Sequence, residues 1–473
     1  MTSLQSAGMK ASTVQGARRA ARRALGAIAV AIAASGCSTT RPWINQPLEP
    51  GPRIDSLGVA QRDPSAIFAI SLSGGGARAA AFGYGVLREL RDTPCCWQDR
   101  SSNVLEAIDL VSGVSGGSIV ASYFAAFGAA ALDSFEPDFL RQNFQDSLIG
   151  QVLQPSNLYD LGSPWFGRSH LLQRRLDVLY RGMTFGDVER RPRHPQLLVT
   201  ATDMSLGIGF EFTASQFQLI CSDFDSVPLS FAVTASSAVP IALSPLTLRN
   251  YRGECRAADD GEAPIAANSP TDYRTRLLQA GESSYRDAQA RPFIHLVDGG
   301  LADNLGVKRL VDRMIATGLD ATFADIRIRP GSVHRLVIFV VNAERDPARN
   351  VDLSDRVPGT LEVFDALLFG AGNRATVETQ EFLADVARRF REDLRDGRRS
   401  ADSPFAADAE IFLIPVNLRD APDLEERRFL LQVPTAFSLG EAEVDRLIAA
   451  GRAVLRASGA FQALRRSIGA GSP

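Results

Sequence analysis

The chain of 473 residues is poor in the side chains that build metal and redox centres, with 4 histidines and 5 cysteines. The histidines are far apart in sequence and no CxxC or mixed Cys/His cluster occurs, so neither a metal nor another cofactor is expected. An excess of one charge is also missing. Lys10, Arg18, Arg19, Arg22 and Arg23 are the only charged residues before Cys37. Removing these five from the 51 basic residues leaves 46 against 54 acidic ones. An acidic body with scattered Arg and no basic stripe argues against nucleic acid as a partner. No internal repeat is present, and no apolar run is long enough to span a bilayer. Ala24–Ala34 would reach only ~16 Å as a helix, against a hydrocarbon core of ~30 Å. Leu110–Leu132 has no charged residue, but Gly113, Gly116 and Gly117 interrupt it, and it reads as a buried core helix.

What is present is a large apolar fraction, 45%, beside 22% charged residues, enough to bury one large core or two. The basic region ending at Arg23, the apolar stretch Ala24–Ala34 and Ser35-Gly36-Cys37 read as an export signal over residues 1–36. Ala34-Ser35-Gly36-Cys37 resembles a bacterial lipobox, with Ala34 where Leu is usual. The resemblance implies that Cys37 is lipidated and becomes the first mature residue. Plain secretory cleavage, with Cys37 incidental, is the alternative. Ser38 in place of aspartate resembles an outer-membrane sorting signal. An outer-membrane lipoprotein facing the periplasm or the outside is therefore expected, held at a membrane surface through Cys37. Residues 37–65, rich in Pro and polar side chains, read as a tether. Cys95, Cys96, Cys221 and Cys255 remain for disulfides, with three full pairings open.

Buried strands are expected at 66–72, 107–111, 197–202, 294–297, 336–341 and 411–416, alternating with helices, which points to a parallel sheet covered on both faces. Arg249–Pro292 is polar and reads as a surface excursion. Trp165, Phe166 and Phe185 are available to line or cover an apolar cleft.

Ser115 stands in Gly113-Val114-Ser115-Gly116-Gly117, between an apolar strand and a small-residue helix. Glycines flank a serine in this way where a strand–turn–helix elbow forces it into a sparsely populated conformation and presents its hydroxyl. Ser73-Gly74-Gly75-Gly76-Ala77-Arg78 follows the first strand. Its glycines free backbone N–H groups to converge on one point, and Arg78 adds positive charge. No Lys-Ser/Thr pair follows, as a phosphate-binding P-loop would require. Asp298-Gly299-Gly300 follows the strand at 294–297, placing a carboxylate at a strand's C-terminal end, where α/β sites are built.

These three motifs, in this order and each after a strand, resemble the patatin-like phospholipase family from Ile67 to Val307, and more loosely to Val341. Thr184-Phe185-Gly186-Asp187, Ala201-Thr202-Asp203, Ala235-Ser236-Ser237-Ala238-Val239-Pro240 and Asp303-Asn304 look familial as well. The resemblance implies a three-layer α/β/α sandwich with a mostly parallel central sheet. It also implies a Ser–Asp dyad without histidine: Ser115 as nucleophile, Asp298 as its base, and Gly74, Gly75, Gly76 and Gly116 as the oxyanion hole. Arg78, Gly113, Gly117, Gly299 and Gly300 would support them. The chain departs from the family pattern at Ala79, where a third spaced glycine is frequent, and at Gly306, where proline is frequent.

The expected protein is thus a serine acyl hydrolase, of phospholipase or lysophospholipase type, acting on phospholipid or other lipid esters. Its catalytic domain would span 66–345 with a polar insertion at about 250–292. An α/β extension over 346–473 would pack on the same domain. Two alternatives stand beside it: a Ser–Asp–His esterase using Ser115, Asp298 and His334, and a non-catalytic lipid-binding envelope lipoprotein.

Overall fold

The computed structural model describes residues 43–49, 65–97, 100–144, 163–255, 273–308, 329–346, 371–398 and 403–470, with residue 401 and scattered positions in 150–161 and 352–366. The export signal, Cys37 and most of the tether lie outside the described residues. The described strands are β1 Gln46–Pro47, β2 Ala66–Leu72, β3 Pro94–Trp97, β4 Arg100–Asn103, β5 Leu110–Val114, β6 Gln196–Asp203, β7 Gly209–Phe212, β8 Ser222–Asp223, β9 Leu246–Arg249, β10 Phe293–Val297, β11 Val333–Asn342 and β12 Phe405–Asn417.

The central sheet has the order β12-β11-β2-β5-β6-β10-β9, with β7 also on β6. From β12 to β6 every pairing is parallel, whereas β10, β9 and β7 are antiparallel. The strand expected at 107–111 lies at 110–114, because Ala107 and Ile108 close turns onto the carbonyls of Val104 and Leu105. Helices cover both faces, giving an α/β/α sandwich. Along β11 the alternation is direct: Val337, Phe339 and Val341 join one core, and Leu336, Ile338 and Val340 join the other. Apolar residues on both faces are what a buried parallel strand requires.

One face is covered by α1 (Gly76–Arg91), α2 (Gly116–Phe127), α3 (Arg168–Tyr180), α4 (Leu229–Ser236), α6 (Glu441–Ala457) and α7 (Gly459–Ala470), and the other by α5 (Ala371–Arg395). No single described helix is long and apolar enough to cross a membrane. Within α2, Gly116–Ala126 are all buried, so its apolar character serves the core.

Two segments are more integrated than their composition suggested. Within the expected tether, β1 pairs with β8, and Asn45, 1% exposed, donates from Nδ2 to Ser222 Oγ and the Arg249 carbonyl. Within the expected polar excursion, Tyr285 of the helix Tyr273–Arg286 is buried, and its hydroxyl donates to Asp203 Oδ2 at 2.9 Å. Cys221 and Cys255 form a disulfide, resolving one of the open pairings.

The C-terminal third completes the sheet and one helical layer. β12 pairs with β11, while α6 lies against α1 at glycine contacts. A Cβ on Gly85 would collide with the Ile448 carbonyl, and one on Gly451 with the Phe82 carbonyl. Backbone-to-backbone approach leaves no side chain that could yield. Gly451→Ala is therefore expected to destabilise the whole domain by about 1–3 kcal/mol. Chemical denaturation of the variant should show one cooperative transition, shifted as a unit.

Candidate active site

Four parallel strands end level with one another. Val341 pairs with Leu72, Leu72 with Gly113, and Gly113 with Val199. The segments that follow β2, β5 and β11 therefore emerge at one edge of the sheet. Connections from β2 and β11 leave in opposite directions, to β5 and β12, so a crevice opens between them. In open α/β sheets that is where ligands are bound.

At the end of β5, Ser115 has φ 48° and ψ −122°, a conformation that L side chains rarely adopt. Such strain costs of order 1–3 kcal/mol and persists only where surroundings fix it. Here the Ser115 N–H donates to Ser236 Oγ at 2.8 Å, and Ser236 Oγ donates onward to the Thr200 carbonyl at 2.6 Å. The Ser115 carbonyl accepts from both the N–H and the Oγ of Ser118. Gly113 and Gly117 fit tightly, since a Cβ on either would strike the backbone of Ser118 or Leu72.

Ser115 Oγ donates to Asp298 Oδ2 at 3.0 Å. Asp298 follows β10, but β10 is antiparallel and overlaps β6 by only two pairs. The carboxylate thus reaches the serine by running back beside β6, not from the C-terminal end of a parallel strand. Its other oxygen, Oδ1, accepts from the Gly300 N–H at 2.8 Å, and its carbonyl accepts from Thr202 Oγ1 at 2.7 Å. A Cβ on Gly299 would collide with the Thr200 carbonyl, which accounts for glycine there. Burial pushes the Asp298 carboxyl up to about 6, against the opposing pull of the Gly300 and Ser115 hydrogen bonds.

The glycine loop faces this pair. Gly75 and Gly76 have φ of 141° and 61°. Gly116 abuts Gly76 closely enough that a Cβ would overlap its carbonyl. Among the described residues no acceptor takes the N–H of Gly75, Gly76 or Gly116. Gly74 departs from expectation, because its N–H donates to the Asn304 carbonyl at 3.0 Å and is not available to an oxyanion. Arg78 is not a mobile charge either. It is 2% exposed, with Nε donating to the Ala343 carbonyl at 2.9 Å and Nη1 to the Val433 carbonyl at 2.6 Å, which ties β11 and the 433–436 segment to the loop. Burial, with Arg345 nearby, lowers its pKa to about 9.

A cleft lies at Ser115 and Asp298. Gly74, Gly75, Arg78, Ser115, Asp298 and Gly300 border it, joined by Val239 and Asn304 and by residues beyond β11. Trp165, Phe166 and Phe185 do not line it. Trp165 is exposed, Phe166 packs against His170, and Phe185 lies in the core against Phe224. No histidine borders it. His334 sits exposed beside Asp408, seven residues before Val341 on β11, which is ~23 Å along an extended strand. His295 contacts Thr247 at an exposed position. Among the described residues no group of three His, Cys, Asp or Glu side chains could hold a metal.

Sequence reasoning assigned no role to Ser236, Thr200, Ser118 or Asn304, although two of them fall in stretches that looked familial. At Gly306, φ is +67° and the N–H donates to Asp303 Oδ1, two features that proline forbids.

A nucleophile elbow, a carboxylate at hydrogen-bond distance and unclaimed N–H groups beside them are the parts of a serine acyl-transfer site. A family model for patatin-like phospholipases matches residues 70–311, just over half of the chain, and the chain belongs to that family. No curated protein matches it. Among solved structures, it is similar to human GIVD cytosolic phospholipase A2, with 10% identity and a TM-score of 0.42, over 92% of this chain and 69% of that one. The same human enzyme in complex with methyl gamma-linolenyl fluorophosphonate gives 12% identity and a TM-score of 0.40, over 88% of this chain and 62% of that one.

The raised carboxyl has a consequence for stability. Asp298 binds its proton more tightly folded than unfolded, so the unfolded chain holds fewer protons between about pH 4 and 6. Stability contributed by this group falls as pH rises through that window. Asp298→Asn removes the buried charge and keeps the shape. The variant should be more stable than wild type at pH 8 by roughly 1–3 kcal/mol, with the gap closing below pH 4. Parallel denaturation series at several pH values measure the difference.

Proposed function

We propose that the protein is a lipid acyl hydrolase in which Ser115 is the nucleophile and Asp298 the general base. The observation that carries this reading is the 3.0 Å hydrogen bond from Ser115 Oγ to Asp298 Oδ2, with no imidazole bordering the cleft. In the first step Asp298 takes the serine proton while Oγ bonds to the ester carbonyl carbon. The carbonyl oxygen becomes an oxyanion, stabilised by the N–H groups of Gly75, Gly76 and Gly116 and by the N-terminus of α2. Collapse expels the alcohol, which leaves with the proton from Asp298. Water then attacks the acyl-enzyme, giving its proton to Asp298, and the free acid departs as the proton returns to Ser115.

A lipid ester, in preference to a water-soluble one, is supported by exposed apolar side chains close in the chain to cleft residues. Val239 borders the cleft, Ile241 two residues later is 54% exposed, and Leu301 next to Gly300 is 44% exposed. The hydrocarbon would lie outward over these side chains. Ile241, β-branched, is held at φ +71°, strain of the kind that collects at binding sites. Lipidation at Cys37 would keep the enzyme at the membrane that holds its substrate.

Ser115→Ala should lower ester hydrolysis by at least about a thousandfold with little change in the thermal melt. Near-wild-type turnover in a folded Ser115→Ala protein would place the nucleophile elsewhere, and absence of turnover in wild type would favour a binding protein. Protonated Asp298 cannot accept the serine proton, so kcat/KM should climb with pH and level off above about 6. His334→Ala should leave that profile in place.

Cys37→Ala should move the protein from the membrane to the soluble fraction on ultracentrifugation. An unmodified wild-type Cys37 by mass spectrometry would exclude the anchor.

A further inference from the structure

The cleft has a second wall, built outside the segment that matches the family model. Glu344 and Arg345 follow β11, Gly372 and Asn373 stand in the first described turn of α5, and Thr435 lies in the 433–436 segment. Glu344 and Asn373 are each 9% exposed, and Glu344 Oε2, Asn373 Oδ1 and Thr435 Oγ1 are buried with no hydrogen-bond partner among the described residues. Buried polar atoms are nearly always paired, so two acceptors and a hydroxyl left open around one cleft call for a ligand. They are held in place from behind. Thr376 Oγ1 donates to Glu344 Oε1 at 3.2 Å, and Asn373 Nδ2 donates to the Arg345 carbonyl at 3.1 Å, which leaves the other oxygen of each open.

The missing partner must be a donor, since two of the three open atoms accept only. One of them belongs to a carboxylate that lies near Asn342, Arg419 and Arg78 but is hydrogen-bonded to no cation among the described residues. Arg345 and Arg78 bring positive charge to the same cleft, so an anion can sit beside the donor.

We propose that this wall is a headgroup subsite for phospholipids bearing a primary ammonium, with Glu344 Oε2 and Asn373 Oδ1 receiving the ammonium and Arg345 facing the phosphate. The proposal rests on the acyl-hydrolase reading above and names the class of substrate for the same cleft. A primary ammonium has three N–H donors and satisfies both oxygens at once. A trimethylammonium has none, and a glycerol headgroup offers donors without the charge. A site built to hydrogen-bond a donor rejects an analogue that lacks it, because its own acceptors are then buried unpaired.

The experiment compares kcat/KM of the full chain on mixed micelles of phosphatidylethanolamine, phosphatidylcholine and phosphatidylglycerol with identical acyl chains. A p-nitrophenyl acyl ester without a headgroup is assayed beside them. Phosphatidylethanolamine is expected to exceed each of the other two by about tenfold or more. In Glu344→Gln and in Asn373→Leu that preference should fall towards one. Thermal melts identify any variant that fails to fold, and Thr435→Val then serves as the third probe of the same wall. Wild-type turnover of the p-nitrophenyl ester with equal rates on all three phospholipids overturns the subsite alone. So does a preference that folded variants retain, or phosphatidylglycerol matching phosphatidylethanolamine. No turnover of any ester, the p-nitrophenyl ester included, overturns the hydrolase reading instead.

Discussion

Everything at the centre of this molecule depends on holding Ser115 at positive φ. The conformation is unfavourable by itself, and three hydrogen bonds fix it, one donated by the Ser115 N–H to Ser236 Oγ and two donated by Ser118 to the Ser115 carbonyl. The same constraint dictates the neighbours. With the chain turned so sharply, Gly116 must sit against the Gly76 carbonyl and Gly117 against the end of β2, leaving no volume for a Cβ at either position. The elbow and the glycine loop are thus one packed unit. The backbone at Gly75, Gly76 and Gly116 is fixed by that packing, which is what the proposed stabilisation of an oxyanion needs.

The fold class and the elbow at Ser115 were legible because they rest on local chemistry. Strands buried on both faces must be continuously apolar, as Ala66–Leu72 and Leu336–Val341 are, and an elbow must place small residues on both sides of its apex. What escaped the sequence is non-local. The antiparallel course of β10, which brings Asp298 in beside β6, has no signature in Phe293–Val297. Gly74 reads like Gly75 and Gly76 until the Asn304 carbonyl claims its N–H. Segments judged by polarity fared worst. Asn45 and Tyr285 are buried because Ser222, Arg249 and Asp203 supply their hydrogen bonds from more than 80 residues away.

The C-terminal third turns a family core into a closed site. β11 occupies the far side of the switch point, and the chain from Ala343 to Arg345 forms the wall facing Ser115. Arg78 couples the two halves. Its stem belongs to α1, directly after the glycine loop, yet its guanidinium is used up on the carbonyls of Ala343 and Val433. The Ala77 N–H likewise donates to the Ala436 carbonyl at 2.7 Å. A cation this deeply buried would be costly alone. Two carbonyls and the nearby Glu344 carboxylate compensate it, so Arg78 acts as a clamp whose release would open the loop.

This coupling explains why the buried carboxylates of the cleft differ in character. Asp298 and Glu344 are both pushed upward by burial, and each has one oxygen tied by a hydrogen bond at its back. Asp298 gives its second oxygen to the serine hydroxyl, a partner whose proton it can take. Glu344 has no serine hydrogen-bonded to it among the described residues, and Arg78, which acts on it together with Arg419, is hydrogen-bonded to the carbonyls of Ala343 and Val433. A carboxylate that faces a proton donor of the protein is suited to moving protons. One whose second oxygen is left open at the cleft is suited to holding a charge that arrives with a ligand, as proposed above. On the proposed reading, two similar groups on opposite walls do different work because of what each one faces.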